Sequence, residues 1–384
     1  MKPVLSKLTQ PWLVWMSAAA LFSAPSFAFS KENAGCDTVS RKYIESKAGA
    51  KAPINANELE SLMVCIDSQI HAQRERESHM ANEGTQDLRN CGRLSEAFAK
   101  NPGDLSIDSL DFFMECLSED YKEALQSKDK GVVFGGNIAA RKVGGEIPTD
   151  PLDDFWKEGT FVALEMDPQM ITNPMWPNPS TRWIRVKAAR NDKDIAVMLT
   201  WIDSTQNDEM IRSEQYKDQA AIMFPVNQEG EEPPFTMGGD GEWVNIWQWK
   251  ASWESSADNA GKEYFPEPDM DMEKGFKGQV ESYNPGKVSG NIFADSSKRR
   301  SPIEDLNAEG FSTLTTQDQQ DIDGKGKWFD NRWAVVFKRA LVNNDENDSQ
   351  FTTTKTPIAF AIWNGGNKER NGQKAVTQFH ILEY

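Results

Sequence analysis

From residue 155 to the C-terminus, apolar side chains recur at every second position. Ile184, Val186 and Ala188 alternate with Trp183, Arg185 and Lys187, and Ile195, Val197, Leu199 and Trp201 alternate with smaller or polar residues. Residues 244–250, 328–341 and 358–363 continue the pattern. A period of two is that of a strand with two unlike faces. Asp330-Asn331 has the composition of a two-residue hairpin turn. Many short strands and few helices predict a mainly β chain folded as a sandwich or barrel. Residues 254–300 are rich in Asp, Glu, Gly, Pro and Ser and read as long loops, which are often functional. Residues 303–309, opened by Ser301-Pro302, read as a short helix.

The region before the strands is different. All four cysteines, Cys36, Cys65, Cys91 and Cys116, lie there, inside an internal repeat. Val39 and Tyr43 follow Cys36 at the offsets at which Leu94 and Phe98 follow Cys91. Leu59, Leu62 and Met63 precede Cys65 as Leu110, Phe113 and Met114 precede Cys116. The spacing is that of amphipathic helices, with Asn57 and Asp108 as candidate N-caps and Glu60 and Asp111 three residues on. Each unit therefore reads as two antiparallel helices joined by a disulfide, Cys36–Cys65 in one and Cys91–Cys116 in the other. The two crossed pairings remain open. Each bridge closes a loop of about 25–30 residues, worth roughly 3–4 kcal/mol in the loop-entropy account.

At the N-terminus, Lys2 and Lys7 precede an apolar run from Trp12 to Phe22, and Ser26-Phe27-Ala28 offers a cleavage site. That is the pattern of a secretory signal, too short for a membrane span. The expected organisation is a signal peptide at 1–28, a helical domain at 29–127, a linker at 128–154 and a β-sandwich at 155–384. The expected location is the periplasm, without a membrane span. The formal charge is −17, and −19 once Lys2 and Lys7 are removed, which argues against nucleic acid as a partner.

Several chemistries have no support. The three histidines, His71, His79 and His380, form no His-Glu-x-x-His, and the chain has no Gly-x-Ser-x-Gly elbow. The absence of Cys-x-x-Cys-His excludes covalent c-type haem attachment. His71 and His79 read as exposed.

Five blocks carry a resemblance. They are Met166-Asp167-Pro168-Gln169 through Trp201-Ile202-Asp203; Lys217-Asp218 with Phe224-Pro225-Val226; Pro234-Phe235-Thr236-Met237-Gly238 with Val244-Asn245-Ile246-Trp247-Gln248-Trp249-Lys250; Ser301-Pro302-Ile303-Glu304-Asp305-Leu306 to Leu314-Thr315; and Gly324-Lys325-Gly326 to Leu341 with Phe360-Ala361-Ile362-Trp363-Asn364-Gly365 to Lys374-Ala375-Val376. In this order they resemble the haem b subunit of the ethylbenzene dehydrogenase-like branch of the dimethyl sulfoxide reductase family, whose relatives serve dimethyl sulfide dehydrogenase, selenate reductase and chlorate reductase. The resemblance covers residues 155–384 and not the cysteine repeats. It implies a β-sandwich holding one non-covalent haem b, ligated by a methionine and a lysine. It also implies a non-catalytic subunit that works beside a molybdopterin catalytic subunit and an iron–sulfur subunit and relays electrons between them and a c-type cytochrome.

Met237 suits the methionine position, because its Pro- and Gly-flanked turn lets a side chain project. A thioether is soft and favours ferrous iron. The family's lysine falls on Lys374, in Asn371-Gly372-Gln373-Lys374-Ala375; Lys338 is the second choice, and Lys250 and His380 are further candidates. A lysine ligates only as the neutral amine, so burial and the metal's charge must lower its pKa. Phe235, Trp247 and Trp249 are candidate porphyrin walls, with sandwich core as their alternative role. Arg182, Arg339 and Arg370 are candidates to meet propionates. Two other readings are a stand-alone haem b carrier that docks on another cytochrome, and a haem-free sandwich that binds a sugar or another small molecule.

Overall fold

A computed structural model describes residues 34–49, 53–77, 88–126, 132–209, 214–230, 232–258, 289–293 and 295–384. The expected signal peptide, His79 and most of the expected 254–300 loop lie outside them. The helical region comprises α1 (Ala34–Lys47), α2 (Ala56–Glu77), α3 (Cys91–Lys100) and α4 (Ile107–Gln126). The disulfides are Cys36–Cys65 and Cys91–Cys116, as expected. The caps sit two residues earlier than predicted. Asn55 Oδ1 accepts the Glu58 N–H and Glu58 Oε2 accepts the Asn55 N–H, a capping box, while Ser106 Oγ accepts the Ser109 N–H. Glu60, released from capping, pairs with Arg185 and accepts the Tyr121 hydroxyl at 2.7 Å. Leu59, Leu62, Met63 and Ile66 of α2 and Leu110, Phe113 and Leu117 of α4 form a core shared with Trp183 of the sandwich. Each such side chain contributes ~1.5–3 kcal/mol on full burial.

The strands are β1 (Val132–Phe134), β2 (Ile138–Lys142), β3 (Phe161–Glu165), β4 (Asp167–Pro168), β5 (Trp183–Arg190), β6 (Asp194–Ile202), β7 (Gln219–Pro225), β8 (Val244–Lys250), β9 (Ile303–Ala308), β10 (Thr315–Thr316), β11 (Asp323–Phe329), β12 (Arg332–Ala340), β13 (Lys355–Trp363), β14 (Ala375–Val376) and β15 (His380–Glu383), with α5 (Ala251–Asp258) directly after β8. One layer runs β4-β14-β13-β7-β8-β9-β10 and the other β1-β3-β5-β6-β12-β11. They join because β13 changes partners: residues 355–358 pair with β15, residues 359–363 with β7. β15 then runs parallel to β2, which pairs with β5.

Two expectations give way here. Residues 303–308 form β9, not the helix expected over 303–309, because Ile303 and Leu306 serve opposite faces of a strand between β8 and β10. The 128–154 segment supplies β1 and β2, and Ile147 is buried against the second layer, so much of it is part of the sheet. The predicted turn holds: Asp330 and Asn331 have φ of 47° and 56°, as a primed hairpin turn requires, and Phe329 faces Arg332.

The core between the layers is aromatic. Trp247, Trp249, Trp201 and Trp333 lie in it, with Trp249 and Trp333 4.7 Å apart edge to face. Gly326 is required there: a Cβ would fall 2.4 Å from Trp249 Cζ2.

Candidate functional site

The outward face of the first layer carries an apolar floor built from alternate residues of β7, β8, β9 and β13: Met223, Ile246, Leu306, Ala361 and Trp363 among them. Met237 packs on this floor. Its backbone is left-handed, φ 68°, which is uncommon for a residue with a side chain. The turn is held from both sides. Gly238 N–H donates to Pro234 O at 2.9 Å and Gly310 N–H donates to Met237 O at 2.7 Å. Only glycine fits at 238, where φ is 82° and a Cβ would meet Glu242 O at 2.4 Å. Phe235, on the same turn, is exposed at its lip.

Lys374 arrives from the other end of the sequence. Its Nζ lies 4.0 Å from Met237 Sδ and 5.0 Å from the centroid of the Trp363 ring. Burial pushes its pKa down to about 8, since the charged form loses its hydration. The loop that presents it is rigidly tied. Glu369, fully buried, accepts from Trp176 Nε1 at 2.9 Å, Asn367 Nδ2 at 2.7 Å, Ser180 N at 3.1 Å and Asn364 N at 2.9 Å. Gln169 Nε2 donates to Gly372 O at 2.9 Å, and Trp363 Nε1 to Asn371 O at 3.0 Å.

The other candidates are elsewhere. Lys338 donates to Ile147 O at 3.0 Å on the outside of the second layer. Lys250 is buried in an ion pair with Glu304. His380 is half-buried in β15, opposite Ile358. Trp247 and Trp249 belong to the core on the inward face of β8, so they are not walls of the Met237 floor; residues of one strand alternate between faces, and Val244 and Ile246 take the outward one. Arg339 is enclosed with Asp348, Nη1 to Oδ1 3.2 Å, and Arg182 faces Glu115 at 3.9 Å. Arg370 stays exposed near Lys374 in sequence, its guanidinium on the Tyr216 ring. Trp363 and Glu369 were not foreseen at the site. Trp363 lies within a quoted block and alternates with Ala361, which was the available signal.

His71, expected at the surface, is buried. Two groups among the described residues bring three metal-capable atoms within 4.8 Å of one another: Asp67, His71 and Asp203, and Asp305, Asp321 and Asp348. The second already holds the Arg339 guanidinium and the Gln317 and Asn343 amides.

A family model described as ethylbenzene dehydrogenase matches residues 153–375. The chain belongs to the ethylbenzene dehydrogenase family. Within that span lie Met237, Lys374 and the floor between them. The chain is 26% identical over 238 residues to a Haloferax mediterranei protein named for a respiratory nitrate reductase heme subunit, covering 62% of this chain and 68% of that one. It is 25% identical to the dimethylsulfide dehydrogenase subunit gamma of Rhodovulum sulfidophilum, covering 60% and 72%, and 28% identical to the chlorate reductase subunit gamma of Ideonella dechloratans, covering 52% and 63%. Among solved structures, a family 9 carbohydrate binding module from Caldicellulosiruptor kristjanssonii matches at 9% identity and a TM-score of 0.31 over 64% of this chain and 94% of that one, a likeness that carries no argument. No helix of the described residues is long and apolar enough to cross a membrane.

Proposed function

We propose that this family member is a non-catalytic electron-transfer subunit that holds one haem b without covalent attachment, between Met237 and Lys374. The observation that carries this reading is the 4.0 Å approach of Met237 Sδ to Lys374 Nζ. These two donors, a thioether sulfur and an amine nitrogen, would hold the haem iron. Bound haem supplies one-electron redox chemistry at its iron. The chain's own part is to set the two donors. Lys374 must offer a neutral amine, and its burial brings the necessary deprotonation within reach near pH 8. Met237 contributes a soft sulfur from a turn whose backbone is fixed on both sides, with Trp363 and Phe235 as flanking aromatics. The names of the relatives support the electron-transfer reading, and by that likeness the partners are a molybdopterin catalytic subunit, an iron–sulfur subunit and a c-type cytochrome. The signal-like residues 1–28 support a periplasmic location.

The visible spectrum tests this. Full-length protein expressed with haem available should show reduced b-type Soret and α bands and one haem per chain. Met237→Ala and Lys374→Ala should each shift the bands or lower haem retention at least tenfold, and Lys338→Ala should leave both unchanged. Folded but colourless protein sinks the haem reading; an unaltered spectrum in Lys374→Ala sinks the lysine assignment.

One observation favours a variant of this reading. The disulfide-linked helices lie outside the matched span of 153–375 and suit a docking module for a carrier that works without a molybdenum partner. Native co-purification separates the two: a molybdopterin subunit in the isolate rejects the stand-alone carrier.

A further inference from the structure

The face on which α2 meets the sandwich holds a group of side chains that electron transfer does not use. Asp67 and His71 stand one turn apart on α2, and Asp203 follows the last residue of β6. All three are buried, at 3, 6 and 0% exposure. Part of their hydrogen bonding is accounted for: Asp67 Oδ2 accepts the Ser204 N–H at 3.0 Å, and Asp203 Oδ1 accepts from Thr205 N at 3.0 Å and Thr205 Oγ1 at 3.1 Å. Among the described residues, Asp203 Oδ2 and His71 Nε2 have no hydrogen-bond partner. His71 Nε2 lies 3.6 Å from Asp67 Oδ1, too long for a hydrogen bond. Leaving two such atoms unmatched in a buried place is costly, and natural structures rarely do so without a bound ion or water.

The chemistry of the trio is specific. One imidazole nitrogen and one oxygen from each of two carboxylates lie within 4.8 Å of one another. Calcium and magnesium take oxygen donors, whereas zinc accepts nitrogen and carboxylate oxygen together. Two histidine or carboxylate ligands at i and i+4 on one helix face point the same way. The imidazole is also oriented: it lies against Gly366, where a Cβ would come within 2.6 Å of His71 Cε1 and 2.9 Å of Nδ1. Neighbouring Asp218 deepens the negative field while its own oxygens are taken by Asn207 N, Trp333 Nε1 and Gly365 N.

We propose that Asp67, His71 and Asp203 bind one zinc ion that locks α2 of the helical domain to the sandwich. The site joins the two parts of the chain, one of which lies outside the family match, so it is a property of their combination. It also abuts the 364–374 loop, because Gly366 is the residue the imidazole rests on. The haem assignment is not needed for it.

The test uses the full chain, stripped with a chelator and titrated with Zn²⁺ alone, followed by calorimetry and thermal unfolding. One Zn²⁺ per chain should bind and raise Tm by several degrees. His71→Gln and Asp203→Asn, each checked for folding by circular dichroism, should weaken binding at least tenfold and abolish the rise in Tm. Folded wild-type protein that takes up no Zn²⁺ overturns the proposal without reference to any variant. Uptake that is undiminished in folded His71→Gln overturns it as well, because the ion would then sit elsewhere.

Discussion

Glu254 accepts the Trp249 indole N–H at 2.7 Å and also the Gly326 amide, beneath the aromatic core. Burial raises its pKa to about 7. A carboxyl whose folded value exceeds its unfolded one favours folding below the unfolded value, near 4.5, and that contribution is lost as pH rises through 7. Glu254→Gln keeps an acceptor oxygen and removes the charge. It should stabilise the protein by roughly 1–2 kcal/mol at pH 8 and by nothing measurable at pH 4, read from paired denaturant titrations. Gly326→Ala should act in the opposite direction. With Trp249 Cζ2 only 2.4 Å from the added methyl, the core must shift, and a loss of about 1–3 kcal/mol is expected in the same titrations. Neither residue stands out in the sequence. A glycine inside a strand can mark a bulge or a close approach, and only the fold says which.

At the scale of elements, periodicity was the reliable guide. Period two located β5, β6, β8, β12 and β13, and the matched offsets around the cysteines located α1 to α4 and both bridges. Where it misled, a neighbour decided the outcome. Residues 303–309 carry a helix-opening Ser-Pro, yet β8 offers a free edge, and the ladder from Val244–Ala308 to Trp249–Ile303 takes them as a strand. β1 and β2 have only 3 and 5 residues and gain their order from pairing with β3 and β5, which no local pattern announces. The caps moved because Asn55 and Ser106 reach the free amides, while Glu60 answers to Arg185 instead. The bridges should matter most for the helices. Cys36→Ala with Cys65→Ala opens a 29-residue separation and should cost about 3 kcal/mol, visible as early loss of helical circular dichroism on heating while the sandwich still melts later.

For the molecule as a whole, the candidate site was legible only through resemblance. Met237 and Lys374 are 137 residues apart, and nothing in the local pattern of either names the other. The tryptophans near Met237 in sequence proved to be core because one position along a strand changes the face. The burial of His71 was invisible for a related reason: it depends on docking between two regions with separate patterns. Glu60 shows how that docking is held, with Arg185 and, at 3.5 Å, Arg332 reaching it from the sandwich. Glu60→Ala removes the carboxylate from both guanidiniums and the acceptor from the Tyr121 hydroxyl, while Arg185 still donates to Tyr121 Oη. It should destabilise the docked state by roughly 3 kcal/mol, read as a lower Tm than that of the wild-type protein.

The pairing of β15 with β2 bears on how such a chain comes together in time. Leu382 lies opposite Ile138, so the seam between the layers is stitched by strands far apart in sequence. Tyr384 is fastened too, its N–H donating to Thr354 O at 2.9 Å and its hydroxyl to Gln228 Oε1 at 3.0 Å. Such a long-range contact closes slowly and late. The sheet therefore stays parted at that seam until β15 reaches β2, however early the hairpins of each layer form. Arrival of that distant strand, not the appearance of any one local element, is the event that lets this sandwich shut.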